Sequence, residues 1–207
     1  MRTLLTTTLT TPPATALLVS LAVSLGGSFV SNPVSAQTVS DDAAILENRE
    51  LLQQGIAAQA NGDPNAAEAA YRAAIKLNST DAVGYYNLGN ALADQNKVAA
   101  AIAAYQTAIQ LDPNNANAYY NLGYWLNTQA DPEGAIAAYR EAARLSPYDA
   151  DTYYNLGILL SNQAQFDEAE VVLRRALILA PDNASGRHYL SVVLANKSQF
   201  KNSRSPF

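Results

Sequence analysis

Few side chains of this 207-residue chain have the types and spacing that chemistry needs. It contains one histidine, His188, and no cysteine. The lack of cysteine removes thiol catalysis, disulfides and cysteine-based zinc sites. His188 has no acidic cluster close to it in the sequence, so the sequence predicts neither a metal site nor a catalytic base there. We therefore expect no enzymatic activity, no catalytic residues and no cofactor.

Two acidic pairs fit helix electrostatics better than acid–base catalysis. Asp41-Asp42 and Asp167-Glu168 read as residues of helix N-termini, where the helix dipole favours negative charge. The chain carries 13 Lys and Arg against 18 Asp and Glu, a formal net charge of −5. Nucleic-acid-binding proteins use basic patches, so this balance argues against nucleic acid as a partner. We expect no small-molecule substrate either.

The remaining candidates for a functional role are tyrosines and asparagines, which could bind a partner. The pentapeptide Tyr-Tyr-Asn-Leu-Gly begins at Tyr85, Tyr119 and Tyr153, at intervals of 34 residues. On a helical wheel the second Tyr of each copy lies opposite the Leu-Gly face. Tyrosine offers a large contact area at low entropic cost, and neighbouring amides can hydrogen-bond a peptide backbone. The candidate partner-binding residues are Tyr86, Asn87, Asn90, Asn117, Tyr120, Asn121, Tyr124, Asn127, Tyr154 and Asn155.

Part of this surface has a second explanation, and the surface also carries negative charge. The asparagines Asn87, Asn121 and Asn155 have an alternative explanation, in which they support helix packing. Asp94 and Asp151 share the surface and give it a slight negative bias, which favours Lys or Arg in a ligand. We therefore expect an uncharged or weakly basic protein segment to bind there.

The same 34-residue period extends through most of the chain. Such a period is typical of a repeat array of short helical units. The third unit predicts helices at about 116–129 and 132–145, with Asp131 as N-cap and Pro132 in the first turn. The packed columns are Gly55, Gly89, Gly123 and Gly157; Ala67, Ala101, Ala135 and Ala169; Tyr71, Tyr105, Tyr139 and Leu173; and Ala74, Ala108, Ala142 and Ala176.

This pattern resembles the tetratricopeptide repeat (TPR) family, whose consensus combines aromatic-x2-Leu-Gly, Ala-x3-aromatic and a closing proline. The third unit carries it as Tyr119, Leu122, Gly123, Ala135, Tyr139 and Pro147. The resemblance implies an all-α, right-handed α-solenoid of four TPR helix-turn-helix repeats plus a C-terminal capping helix. It also implies a scaffold that binds partner segments in its concave groove. The Lys and Arg with which some members hold a C-terminal carboxylate do not occur at the matching positions.

We divide the chain into eight segments by these features. The expected segments are a signal peptide at 1–36, a lead-in at 37–47, repeats at 48–81, 82–115, 116–149 and 150–183, a capping helix at 184–196 and a flexible tail at 197–207.

The first 36 residues have the composition of a secretory signal peptide. They hold one basic residue, Arg2, and no acid, and an apolar stretch at 14–30 ends in Val34-Ser35-Ala36. Small residues at this spacing favour cleavage after Ala36. An uncleaved N-terminal anchor and a plastid-type transit peptide are the alternatives. The protein is expected in the periplasm or outside the cell, with the thylakoid lumen or a membrane-anchored state as other options.

The expected function is binding of other proteins or peptide segments, with no stable membrane span after signal cleavage. The sequence looks similar to exported bacterial, cyanobacterial-like members of the family, some of which assist assembly of envelope or photosynthetic complexes. A structural subunit that acts through oligomerisation and an adaptor for a partner enzyme are the alternatives.

The mature protein is predicted to begin at Gln37. The reason is the small-x-small motif directly after the apolar stretch. Intact mass or N-terminal sequencing of protein from the exported fraction measures this. Full-length protein confined to the cytoplasm would contradict the secretion hypothesis.

Overall fold

The computed structural model describes the backbone of residues 33–204 and the side chains of 42–202. Predictions that concern residues 1–32, which hold most of the expected signal peptide, lie outside this range. Of the described residues, 42–204 belong to one compact unit and 33–41 to a separate one. Over the described range the elements are α1 (Pro33–Ala60), α2 (Pro64–Leu77), α3 (Ala82–Asp94), α4 (Val98–Leu111), α5 (Ala116–Thr128), α6 (Pro132–Leu145), α7 (Ala150–Asn162), α8 (Phe166–Leu179) and α9 (Ala184–Arg204).

The helices pack in chain order, as expected for an all-α solenoid. From α2 to α9 each helix contacts the next one along the chain, and α7 also contacts α9. The second helices of the repeats are α2, α4, α6 and α8, and the first helices of the last three repeats are α3, α5 and α7. Contacts between sequential neighbours are what a repeat array requires, since each unit covers the apolar face of the next.

The turn inside each repeat has the same backbone geometry. One residue per turn takes a positive φ, and a backbone N–H beyond the turn donates back into the preceding helix, as from Asp131 to the Leu126 carbonyl at 3.0 Å. Only glycine adopts this left-handed conformation without strain, although asparagine tolerates it. These residues recur every 34 positions: Gly62 (φ 74°), Asn96 (58°), Ala130 (58°) and Ala164 (56°).

Capping residues fix where the helices begin. Asp131 Oδ1 accepts a hydrogen bond from the Gly134 N–H at 3.0 Å, and Pro132 occupies the first turn of α6. Both features confirm the boundary predicted from the sequence. Asp63 caps α2 in the same way, through the Ala66 N–H.

The core is built from the predicted columns. Every member of the two alanine columns and of the Tyr71 column is buried, and so is each of the four column glycines. The buried residues form two clusters. The first lies around α2–α4 and includes Leu122 of α5, and the second lies around α6–α8 and includes Val193 of α9. The packed face therefore follows the register expected from the 34-residue period.

The column glycines permit close contact between the two helices of a repeat. A Cβ on Gly89 would lie 2.6 Å from Tyr105 Cε1, and one on Gly123 would lie 3.1 Å from Tyr139 Cγ. Real Cβ atoms essentially never approach other heavy atoms below 3.0 Å. The aromatic ring of the second helix therefore occupies the space that a side chain on the first helix would need.

Ion pairs connect successive repeats on the surface. Lys97 Nζ lies 2.7 Å from Glu68 Oε2, and Arg72 Nε lies 2.8 Å from the other oxygen. Hydrogen bonds from Lys97 and then Arg72 lower the pKa of the Glu68 carboxyl to about 2. Because this pKa is lowered, the ion pairs of Glu68 stabilise the fold fully at pH values above the ordinary carboxyl range. This contribution is lost progressively as the pH falls from that range to about 2.

Two segment boundaries differ from the sequence expectation. The expected lead-in at 37–47 is helical throughout, as part of α1. The capping helix α9 continues to Arg204, so residues 197–204 of the expected flexible tail are helical. Two contacts connect this extension to α8. Lys197 Nζ lies 2.6 Å from Asp167 Oδ1 and 2.8 Å from Glu170 Oε2, and the Phe200 ring lies 5.8 Å from the Phe166 ring, centroid to centroid.

Gly89→Ala is predicted to destabilise the array by about 1–3 kcal/mol, the usual cost of overpacking a filled core. Gly123→Ala is the matched control, because its methyl would require the ring to move by only a few tenths of an ångström. At both positions alanine gains about 1 kcal/mol of helix propensity over glycine, which offsets the small packing cost at position 123 but not the larger one at position 89. The control should therefore be close to neutral. Urea melts of both variants measure the difference, and equal stability of Gly89→Ala and wild type would contradict the packing account.

Candidate partner-binding cleft

A cleft of about 500 Å³ lies across the first helices of the first three repeats. Such a volume falls in the range of small ligand-binding clefts, about 300–1,000 Å³. Aromatic rings, amides and one carboxylate supply most of its lining. The lining residues are Gln59, Asn90, Ala93, Asp94, Tyr105, Tyr120, Asn121, Tyr124 and Trp125.

Helical spacing explains why these residues meet. Asn90, Ala93 and Asp94 lie three and four positions apart on α3, so their side chains share one face. Asn121, Tyr124 and Trp125 have the same spacing on α5, one repeat later. Stacking of the helices therefore places a face of α3 with an amide and a carboxylate beside a face of α5 with an amide and two aromatic rings.

Tyr105 connects the packed core to this cleft. Its ring is buried against Gly89, and its hydroxyl donates to Asn90 Oδ1 at 2.9 Å. Asn121 Nδ2 donates to the same oxygen at 3.0 Å. Burial, and then the neighbouring Tyr86, raises the pKa of the Tyr105 hydroxyl. The hydroxyl therefore remains a proton donor, which fixes the amide orientation of Asn90.

A second hydrogen-bonded chain positions the carboxylate. The Tyr71 hydroxyl donates to Gln59 Oε1 at 2.7 Å, and Gln59 Nε2 donates to Asp94 Oδ2 at 3.0 Å. Tyr71 is itself fully buried in the first core cluster. Asp94 is exposed, yet its orientation is set by groups that the core holds in place.

Tyr124 and Trp125 form an aromatic corner at the edge of the cleft. Their ring centroids are 5.0 Å apart and the ring planes meet at 89°. Tyr124 is 48% exposed, whereas Trp125 is half-buried against the first core cluster. An open ring face supported by a fixed second ring is suited to stacking with a ligand group.

The structure brings together four of the ten residues predicted from the sequence. Asn90, Tyr120, Asn121 and Tyr124 line the cleft. The other six lie outside its lining: Tyr86, Asn87, Asn117, Asn127, Tyr154 and Asn155. Asn117 and Asn127 are exposed, and Asn87 is half-buried.

The expectation that Tyr86, Tyr120 and Tyr154 point away from the packed core is wrong. All three are half-buried against the core clusters. The Tyr120 ring lies 5.6 Å from the Tyr139 ring, centroid to centroid, and Tyr86 makes the equivalent contact with Tyr105 at 6.1 Å. In the second and third repeats the physical reason is that the tyrosine of the second helix extends past the glycine and reaches the tyrosine of the first helix. In the fourth repeat Tyr154 packs instead on Tyr189 of α9, with ring centroids 5.8 Å apart.

The packing alternative for the asparagine column is supported at two positions. Asn121 bonds Asn90 one repeat back, and Asn155 Nδ2 donates to the Tyr120 hydroxyl at 2.9 Å. Each bond connects the first helices of neighbouring repeats. These amides therefore hold the spacing between repeats, in addition to any contact with a ligand.

Three lining residues were not predicted from the sequence: Gln59, Tyr105 and Trp125. Tyr105 was assigned wholly to the core, because a helical wheel does not show how far a long side chain reaches. Gln59 lies in the same 34-residue column as Ala93 and Asn127, which could have identified it. Trp125 occupies the position at which the two preceding repeats have Ala57 and Ala91. This replacement of a small residue by a large one is the feature of the sequence that could have identified Trp125.

The described residues offer no alternative site built on metal-binding chemistry. Among them, no group of three or more His, Asp or Glu side chains could hold a metal ion. His188 is exposed, with its ring 5.9 Å from that of Tyr189. No helix within the described range is long and apolar enough to cross a membrane.

The chain belongs to the tetratricopeptide repeat family. Family models described as TPR or tetratricopeptide repeats match residues 51–81, 89–127 and 126–190. Together they match all or part of each of the four predicted repeats. A comparison with curated protein sequences found no match.

Solved structures with the same fold include several TPR proteins. A MamA structure is 29% identical, with a TM-score of 0.63, and the match covers 72% of this chain and 86% of that one. MamA from Desulfovibrio magneticus RS-1 is 20% identical with a TM-score of 0.68, covering 75% and 88%. YrrB, described as a TPR protein with an unusual peptide-binding site, is 24% identical with a TM-score of 0.67, covering 80% and 85%. These likenesses agree with an all-α TPR solenoid.

Tyr120→Ala is predicted to destabilise the protein by about 2–3 kcal/mol, somewhat less than truncation of a fully buried aromatic residue. Its half-buried ring packs on Tyr139, and its hydroxyl holds Asn155. Tyr124→Ala serves as the control. It loses an exposed ring and one aromatic contact, so about 1 kcal/mol or less is expected. Chemical denaturation compares the two, and equal losses would show that both rings face solvent to the same degree.

Proposed function

We propose that this TPR protein binds extended segments of partner proteins in the cleft between α3 and α5. The family is typically a non-catalytic module for protein–protein interaction, which supports a scaffold role. The observation that carries the proposal is the composition of the cleft lining. Rigid aromatic rings supply contact area at low entropic cost, and amides supply hydrogen bonds to a peptide backbone.

The hydrogen-bond pattern supports an extended segment as the ligand. Asn90 uses its oxygen for Tyr105 and Asn121, and neither its own amide N–H groups nor the Asn121 oxygen bonds another described residue. A peptide backbone carries one donor and one acceptor per residue, which complements such a pair. YrrB, which shares this fold, is itself described as having a peptide-binding site.

The proposal includes the compartment. The N-terminal composition favours export to a periplasm-like space, with assistance in assembling envelope or photosynthetic complexes as the role there. A thylakoid-lumen location and an uncleaved membrane anchor are the alternatives. The predicted start of the mature protein at Gln37 distinguishes cleavage from anchoring.

A structural subunit that acts through oligomerisation is the second candidate function. Exposed apolar side chains on α1, namely Ile45, Leu46 and Ile56, favour it, because apolar surface of this kind can pack between copies. Light scattering on the purified chain at low concentration separates the candidates. A monomer supports the open scaffold, and a stable oligomer supports the subunit. An adaptor for an enzyme remains a third possibility, in which the segment bound belongs to that enzyme.

Photo-crosslinking tests the scaffold directly. A photoreactive phenylalanine analogue replaces Tyr124 in the cleft, and the variant is expressed in the native host. Tyr148, which is 79% exposed and outside the cleft, carries the same analogue in the control protein. We expect a discrete set of crosslinked proteins from position 124 only. The same set from both positions, or none from position 124, would contradict binding in the cleft.

A further inference from the structure

The cleft contains a negative charge without a positive partner. Asp94 Oδ2 accepts from Gln59, and no Lys or Arg of the described range forms an ion pair with Asp94. None of the nine lining residues is basic. An oriented carboxylate in a cleft with low-dielectric walls attracts a cation.

The aromatic corner lies in the same cleft as this carboxylate. Tyr124 and Trp125 stand at 89° to each other, so each can offer a ring face to a group placed between them and Asp94. Trp is the most favourable aromatic residue for a cation, and Arg stacks on such rings more often than Lys does. A planar guanidinium can stack on one ring while an N–H donates to a carboxylate.

The hydrogen bond from Gln59 favours a single-point contact with the carboxylate. It occupies Asp94 Oδ2 and leaves Oδ1 available, while Tyr71 fixes Gln59 from the other side. The carboxylate is therefore preorganised, and a ligand need not order it on binding. Conversely, an acidic segment or a C-terminal carboxylate would meet Asp94 with no lysine or arginine in the lining to offset the repulsion.

From these contacts we infer that the cleft selects partner segments by an arginine side chain, held between Asp94 and the Tyr124–Trp125 corner. This rests on the proposed function, since it assumes that the cleft is where a segment binds. The asparagines Asn90 and Asn121 bind the backbone beside the arginine. The inference assigns to Asp94 the role of determining specificity.

The test compares two blocked seven-residue peptides, one with a central arginine flanked by glycine and serine and one with citrulline in its place. Citrulline keeps the planar shape but replaces the charged guanidinium with a neutral urea, in which a carbonyl oxygen stands in place of one NH2 group. Binding to the full chain is followed by NMR through the indole resonance of Trp125, the only tryptophan. We expect about tenfold weaker binding of the citrulline peptide, as a charge pair plus a cation–π contact implies. High salt should weaken only the arginine peptide.

Three variants make the result specific. Asp94→Asn should abolish the preference for arginine over citrulline, and Tyr124→Ala should weaken both peptides. Asp182→Asn removes an acid from the turn between α8 and α9 and should leave the preference unchanged. Thermal melts of the same variants check that each remains folded.

The outcomes separate this inference from the proposed function. If both peptides shift Trp125 equally and lose affinity in Tyr124→Ala, the cleft binds segments but the arginine inference is wrong. If Asp94→Asn retains the full preference, the charge that selects arginine lies elsewhere, and the inference is also wrong. If neither peptide binds, the arginine subsite is refuted, and the proposed function then depends on the photo-crosslinking result.

Discussion

The contact between a glycine of the first helix and a large side chain of the second is the constraint on which the whole structure depends. In three repeats that side chain is a tyrosine, and in the fourth it is Leu173. Because the glycine has no Cβ, the ring lies directly against the first helix and fixes how closely the two helices approach. Stacked repeats then inherit the same spacing, since each helix packs on the next along the chain.

The same tyrosines also determine the shape of the cleft. Tyr71 and Tyr105 are long enough to pass the glycine and present their hydroxyls to Gln59 and Asn90. Core packing thus orients the polar side chains of the binding surface, through bonds of 2.7 Å and 2.9 Å. The fourth repeat lacks such a hydroxyl, because leucine replaces the tyrosine. The fourth repeat therefore cannot form the hydrogen bond that Tyr71 and Tyr105 make in the first two.

Most of the fold was predictable from the sequence because the 34-residue period aligns many columns. The buried alanines, the glycine contacts and the cap at Asp131 agree with that register. The extension of α9 to Arg204 was not predictable, since residues 197–204 follow no periodic pattern and their contacts, such as those of Lys197 with Asp167 and Glu170, join residues distant in the sequence. Periodicity carries no information about such contacts.

The cleft was only partly predictable for a related reason. A helical wheel assigns a direction to each Cα–Cβ bond but not the reach of a side chain. Tyr105 therefore looked like core alone, and Tyr120 looked exposed although its ring packs on Tyr139. The position of Trp125 among alanines of the preceding repeats was visible, but its contact with Tyr124 required the structure.

A crystal structure of the chain with a bound segment of a natural partner tests the central claim most directly. Our account predicts an extended segment along the faces of α3 and α5, in contact with Asp94 and Tyr124. The helix spacing set by the glycine contacts should be unchanged, since the cleft is already formed. A segment bound instead on the second helices α2, α4 and α6, with the cleft empty, would contradict the account.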